Sequence, residues 1–327
     1  IGAKQPLEVT LKIGSITEMI VVTEEQSLID YTRTELGGSV SPQETKSYPI
    51  LDRSLASLAL TVPGVRPAPG FDPTKSRVGN FSVNGGDGRQ LDMNIDGADN
   101  KDNVVGGPIQ NYTVEGVQEF NVIVARYSAE SGRSVGAVVN VVTKSGSNEL
   151  HGSLFGLFQV STLNKISFFD AGTKPVYHRY HFGGSAGGPL IKDKLFIFGA
   201  YEQKREPGRI SVRPSAFSQL SLFPLANPVS QLDVPFLNHL ITVKMDHQIS
   251  RKHTLSYRYG RERWTNPNDQ LGNPFVADLT QTQSNDNQFH DLVINHDFAI
   301  SSNKVNRFSA HFQDFVNAIL ASPAETF

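Results

Sequence analysis

The sequence predicts a mainly β protein: a small α+β domain followed by long antiparallel strands of a transmembrane β-barrel. Three observations lead there. Apolar and polar residues alternate at period two along the C-terminal half, and short polar turns alternate there with long Pro/Asn-rich loops. No apolar run approaches the roughly 18 residues that a membrane-crossing helix needs, whereas a barrel strand needs only about ten alternating residues. The turn-and-loop rhythm fits a membrane barrel better than a soluble sandwich, whose strands are shorter and more evenly spaced.

Taken in chain order, Leu7, Val9, Leu11 and Ile13 alternate with Glu8, Thr10 and Lys12, the pattern of a half-buried strand, and a short β-prone run, Glu18 to Thr23, follows. Asp52 is placed to cap a short helix carrying Leu55, Leu58 and Leu60, which Pro63-Gly64 stops. Val65 to Lys75 reads as a Pro/Gly-rich loop. Phe81 to Asn84, the turn Gly85 to Gly88, and Leu91 to Ile95 read as a hairpin. Phe120 to Val124 and Val135 to Thr143 are further strands, the second so rich in Val and so poor in charge that both its faces should be buried. This α+β region ends near Asn148.

Beyond His151 come successive hairpins. Leu195 to Arg205 follows the turn Lys192-Asp193-Lys194, and Leu240 to Ile249 meets Leu255 to Gly260 across Ser250-Arg251-Lys252. Leu292, Ile294 and Phe298 share a face with His290 and His296, and beyond the turn Ser301 to Lys304 the residues Phe308, Ala310 and Phe312 recur at period two. Long loops are expected at Pro207 to Pro235 and Thr265 to Asn285. The faces bearing Ile241, Val243 and Met245, and Phe308 with Phe312, are expected toward lipid, with Lys244 and Asp246 toward the lumen, because a Lys on the lipid face near the midplane costs roughly 2–4 kcal/mol.

Composition narrows the function classes. The 327 residues carry 30 Lys+Arg and 32 Asp+Glu, a formal charge of −2 without a long basic cluster, which argues against nucleic acid as a partner. Cys is absent, so disulfides, thiolate metal sites and thiol nucleophiles are excluded. The chain opens at Ile1 without a leader-like run, which reads as a fragment or a processed piece. Gly183 to Gly187 satisfies G-x-S-x-G, but Gly188-Pro189 follows where the nucleophile elbow requires a helix, so Ser185 is read as non-catalytic. Those glycines are read instead as permitting close strand approach near a barrel turn. Asp92, Asn94, Asp96 and Gly97 match the opening of a calcium loop, yet position twelve is Asn103 and Leu91, Met93 and Ile95 alternate, so a strand entering an Asp-Gly turn is the better reading. His178 and His181 fall on opposite faces of a strand and cannot share a metal.

Several longer segments carry a resemblance. Val117 to Gly152 resembles the end of the plug and the entry to the barrel of TonB-dependent outer-membrane receptors, in particular the Oar-like branch with an N-terminal carboxypeptidase-regulatory-like domain. Phe182 to Gly199 and Lys244 to Tyr259 are similar to barrel hairpins of that branch, and Gly79 to Gly97 to its plug hairpin. Leu7 to Gly14 resembles the last strand of the regulatory-like domain. Glu18, Met19, Ile20, Val21, Val22 and Thr23 resemble a TonB box, with Met19 where Thr is common.

The resemblance implies three parts: 1–23, the end of the regulatory-like domain and the coupling segment; 24–148, the plug; 149–327, the first strands of an incomplete barrel. About seven strand candidates are present against the roughly 22 of a family barrel. It further implies a bacterial outer-membrane location with the plug facing the periplasm, surrounding lipid, a TonB-like energy-coupling partner, and an imported substrate such as a peptide, polypeptide or glycan. It implies no catalytic residue, cofactor or metal. The competing expectation is a secreted or surface all-β adhesion or glycan-binding protein, with the same hairpins forming a soluble sandwich.

Overall fold

The computed structural model describes residues 35–41, 44–45, 53–68, 79–104, 106–129, 131, 133–163, 165, 178–224, 228–269, 278 and 282–321. The strand expected at Leu7 to Ile13 and the segment Glu18 to Thr23 lie outside the described residues.

The small domain contains strands β1 (Leu36–Val40), β2 (Val65–Pro67), β3 (Phe81–Val83), β4 (Leu91–Ile95), β5 (Ala98–Asp99), β6 (Val117–Ala125) and β7 (Ala137–Thr143). Five of them form one sheet in the order β1-β6-β7-β4-β5, in which β4 and β7 run parallel. The expected hairpin between Phe81 to Asn84 and Leu91 to Ile95 does not form. Phe81–Val83 pairs with Val65–Pro67, inside the expected loop, while Leu91–Ile95 pairs with β7 and β5. The connection bends through positive φ at Asn84, Gly85 and Gly88, which carries the two strands into different sheets. The apolar residues Leu91, Met93 and Ile95 of β4 then join Phe81, Phe120, Val139 and Val141 in one core.

Helix Leu55–Ala59 covers that core with Leu55 and Leu58. Its cap is Ser54, whose hydroxyl accepts from the Ser57 N–H at 3.2 Å; the expected cap, Asp52, lies outside the described residues. Leu60 is the C-cap and is 39% exposed, because at 3.6 residues per turn it points away from the face of Leu55, Leu58 and Ala59. Strand β7 has Ala137, Val138 and Val139 fully buried, as its composition predicts, although Val142 is exposed.

The second sheet contains β8 (His151–Val160), β9 (His178–Ile191), β10 (Leu195–Glu206), β13 (Phe236–Ser250), β14 (His253–Asp269), β15 (Gln283–Ser301) and β16 (Lys304–Ala321). Between β10 and β13 lie β11 (Arg209–Ser211) and β12 (Gln231–Asp233), paired with each other, and helix Pro214–Leu220. The order β16-β15-β14-β13-β10-β9-β8 follows the chain, with every neighbouring pair antiparallel. The expected hairpins form, but the strands are longer than the expected segments. β13 begins at Phe236 and not Leu240, and β14 runs on to Asp269, past the start of the expected loop at Thr265. Backbone pairing continues where apolar alternation has ceased, so periodicity alone places the ends short.

Face alternation is inverted relative to a soluble sheet. Inward residues such as Asn238, Thr242, Lys244, Arg258, Glu262 and Asp291 are polar and buried, whereas outward Val243, Leu292, Phe308 and Phe312 are 37%, 39%, 60% and 64% exposed. A sandwich hides its apolar face, so this pattern is that of a barrel wall with its apolar side outward. Asp246 shares the inward face with Lys244, and Ile241 and Met245 share the outward face with Val243.

The glycines of β9 have a packing role. A Cβ on Gly184 would stand 2.5 Å from the Ser153 carbonyl oxygen and one on Gly183 2.4 Å from that of Tyr201, whereas at Gly199 it would meet nothing within 4 Å. In the full-length protein, Gly184→Val should lower the folded fraction seen by heat-modifiable gel migration, at a cost of about 1–3 kcal/mol. Gly199→Val should leave that fraction unchanged. Equal behaviour of the two variants would refute close β8–β9 approach as the reason for glycine.

Candidate functional site

The inward face of the large sheet meets the small domain along two buried polar clusters. The first is built on the turn between β4 and β5. Asp96 and Gly97 have φ of +49° and +83°, as a two-residue hairpin loop of type I′ needs. That turn aims the Asp96 carboxylate at the barrel wall. Its oxygens accept from the Thr143 N–H at 2.9 Å and the Thr143 hydroxyl at 2.6 Å. Arg258 Nε lies 3.0 Å and Lys244 Nζ 3.5 Å from the same carboxylate. Asp96 is thus the small domain's anion for two barrel cations.

Arg258, with a side chain 2% exposed, ties several elements together. It donates to Asp291 at 2.7 Å, to the Tyr112 hydroxyl at 2.9 Å and to the Ile95 carbonyl at 3.1 Å. Tyr112 also donates to Asp291, and His311 bonds that carboxylate at 2.9 Å. Burial pushes the Tyr112 phenol well above its ordinary value, so it stays a protonated donor. Asn295 and Gln313 add bonds to the backbone carbonyls of Asp96 at 3.0 Å and Asp99 at 3.3 Å. Two cations, Lys244 and Arg258, face two anions, Asp96 and Asp291, so the buried charge balances.

The second cluster holds the segment from Asn111 to Glu115. Glu262 on β14 accepts from the Asn111 N–H at 2.9 Å and from Asn238 at 2.8 Å. Glu202 on β10 accepts from Thr113 at 2.8 Å and bonds His181. Glu115 receives Arg53 at 2.9 Å and Ser153 at 2.6 Å. Burial raises the Glu115 pKa, but hydrogen bonds from Ser153 and Arg53 and the Arg53 charge outweigh it and hold the group below the usual carboxylate range.

The residues singled out in the sequence distribute plainly. Ser185 sits mid-strand, 2.9 Å from the Ser153 hydroxyl, with none of the strand-turn-helix geometry of a nucleophile elbow. His181 turns inward to Glu202, while His178 stacks on Tyr180. Lys244 faces inward as expected and reaches both Asp96 and the Thr143 carbonyl, the latter at 3.1 Å. Sequence reading missed the roles of Glu202, Arg258, Glu262 and Asp291. Their signal was a charge at inward parity on an otherwise amphipathic strand.

Comparison with known proteins agrees with this geometry. Residues 142–217 match a family described as outer membrane beta barrel domain. The TonB-dependent transporter Oar of Myxococcus xanthus is 30% identical over 210 residues, 60% of this chain and 19% of that protein. The outer membrane transporter YddB of Escherichia coli superimposes with a TM-score of 0.63 at 12% identity, covering 85% of this chain and 38% of that one. A variant of the ferric enterobactin receptor PfeA of Pseudomonas aeruginosa gives 0.59 at 13% identity, covering 87% and 42%. The chain therefore spans about a fifth of the curated relative and less than half of these solved structures.

Fold and interface together match a class: the described residues have the plug sheet and part of the barrel wall seen in TonB-dependent outer-membrane transporters. Within that class the sequence is similar to Oar, and the described residues form the plug sheet and seven neighbouring barrel strands. The soluble adhesin reading fails on the apolar outward face and the buried polar inward one.

Removing one partner from a buried ion pair strands the other, at a cost of about 3–5 kcal/mol. Asp96→Asn should therefore weaken seating of the plug by that order, read by hydrogen exchange of residues 91–99 in the full-length protein. Pairing it with Arg258→Met should cost less than the sum of the single changes; strict additivity would show that the two residues do not interact. For Glu115 the folded pKa is lowered, so its stabilisation is present above the unfolded carboxylate value and is lost as pH falls through the folded one. Acid titration of the full-length protein should show this loss, and Glu115→Gln should reduce its size. An unchanged acid profile in the variant would count against the assignment.

Proposed function

We propose that the full-length protein imports a substrate across the outer membrane, using force delivered by a TonB-like periplasmic protein to remodel the plug. The observation that carries this reading is the polar, hydrogen-bonded seat of the plug on the barrel wall through Asp96, Tyr112, Arg258 and Asp291. A seat made of ion pairs and hydrogen bonds fixes the plug in register yet can be exchanged for water when the plug is pulled.

In this reading residues 1–23 are the end of a regulatory-like domain with the coupling segment, 24–148 the plug and 149–327 the opening part of the barrel. Glu18, Met19, Ile20, Val21, Val22 and Thr23 act as the TonB box: a β-branched extended segment adds an edge strand to the partner's sheet. The substrate is a peptide, polypeptide or glycan, bound at the extracellular side by plug apices and the long barrel loops.

Strand addition draws on backbone N–H groups, so single side-chain truncations in Glu18 to Thr23 should be mild, while Val21→Pro removes a donor and fixes φ. In the full-length receptor Val21→Pro should abolish uptake and leave binding of the same substrate intact. Normal uptake would place the coupling segment elsewhere and leave Glu18 to Thr23 as a connecting strand.

A further inference from the structure

The outward face carries a groove of about 910 Å³ across β8, β9, β10 and β13 that plug seating does not use. Its floor is Gly184, Ala186 and Gly199, where side chains are minimal, and Phe182, Tyr201 and Val243 stand around it. This is the apolar face of a barrel wall, the face that such a wall turns toward lipid. One end of it is marked by charge. Ile241, which also lines the groove, has Arg261 as its ladder partner. The next outward residue, His239, is opposite Arg263 and bonds the Tyr201 hydroxyl at 2.9 Å; beyond it Leu237 is opposite Arg205.

Arg205 and Arg261 have no carboxylate partner among the described residues, and Arg263 meets Asp286 at 3.3 Å with its side chain 47% exposed. The next outward carboxylate, Asp314, lies on β16, opposite His290, the ladder partner of Arg261. These arginines sit at the end of the sheet from which the long connections 207–235 and 270–282 leave, while the tight turns Arg251-Lys252 and Ser302-Asn303 close the other end. In outer-membrane barrels the longer connections are extracellular. The basic patch therefore stands at headgroup level of the extracellular leaflet, directly above an acyl-sized groove.

We propose that this surface is a specific site for a phosphorylated, multi-acyl glycolipid of the extracellular leaflet, with one acyl chain in the glycine-floored groove and its headgroup phosphates distributed over Arg205, Arg261 and Arg263. Guanidinium forks match phosphate oxygens bidentately, and basic pockets beside membrane-embedded segments select anionic headgroups on this principle.

The test uses full-length receptor in neutral detergent, with native mass spectrometry and thermal stabilisation as readouts. The probes are bis-phosphoryl lipid A, the same lipid dephosphorylated, and inorganic phosphate. The phosphorylated lipid should bind at least tenfold tighter than the dephosphorylated one, and inorganic phosphate alone should give no stabilisation. The triple variant Arg205→Gln, Arg261→Gln, Arg263→Gln should lose that tenfold preference. Gly199→Phe, which fills open space in the floor, should weaken both lipids and keep the preference. Heat-modifiable migration of each variant separates loss of binding from misfolding, and if the triple variant misfolds, the single change Arg261→Gln carries the test. Equal affinity for the two lipids, a preference that survives in the triple variant, or full stabilisation by inorganic phosphate would each overturn the proposal. None of these outcomes bears on import.

Discussion

The structure turns on a buried charge cluster in which Asp96 of the small domain meets Arg258 and Lys244 of the barrel wall, with Asp291 balancing the second cation. Charges taken out of water are costly unless every one is paired and hydrogen-bonded. Here each of the four charged groups is hydrogen-bonded, by partners from both bodies: Tyr112, Thr143 and the Ile95 carbonyl from one, His311 from the other. Neither body could bury its share alone. That constraint explains why the type I′ turn at Asp96-Gly97 is needed, since only that turn carries the carboxylate off the end of β4 toward the wall.

The same constraint sets the character of the barrel strands. Their inward face must supply donors and acceptors, and their outward face must be apolar, so each strand is amphipathic in the sense opposite to a soluble sheet. Glu202, Glu262 and Asp291 stand on three strands and each receives a bond from the stretch between Asn111 and Thr113. A strand shifted by one residue would turn these carboxylates to the apolar side, so the plug interface and the ladder register specify each other.

Much of this was legible in the sequence. Alternation gave the strand faces of β13 to β16, the missing helix spoke against a nucleophile elbow at Ser185, and Asp96-Gly97 read as a turn. What was not legible depended on partners far away in the chain. Phe81–Val83 looked like one arm of a local hairpin because turn residues follow it, but Val65–Pro67 is its partner, in a stretch whose prolines signal loop. Ser54 caps the helix through a bond that depends on where the first turn begins, which Asp52 obscured. The role of Arg258 needs Asp96, Tyr112 and Asp291 in view, together with the Ile95 carbonyl 163 positions away in the chain. Local pattern fixes which face a side chain takes; it does not say what waits there.

The two kinds of core in the protein divide the labour. The apolar core of Leu55, Phe81, Met93, Phe120 and Val139 lies wholly within the small domain and includes no barrel residue. Beside a small apolar contact of Phe198 and Ala200 with Gly116, the bodies meet through hydrogen bonds and ion pairs, each worth a net of only about 0.5–1.5 kcal/mol against water for the neutral bonds and more for the charged ones. Moving the small domain against the wall therefore trades protein partners for water at many small steps, while its apolar core stays covered. Had the interface been apolar, displacement would expose that surface and cost roughly 25 cal/mol for every Å² uncovered, with no solvent partner to offset it. A polar seat around an independently packed domain is thus the arrangement that lets a body be held in register and still be moved without being unfolded.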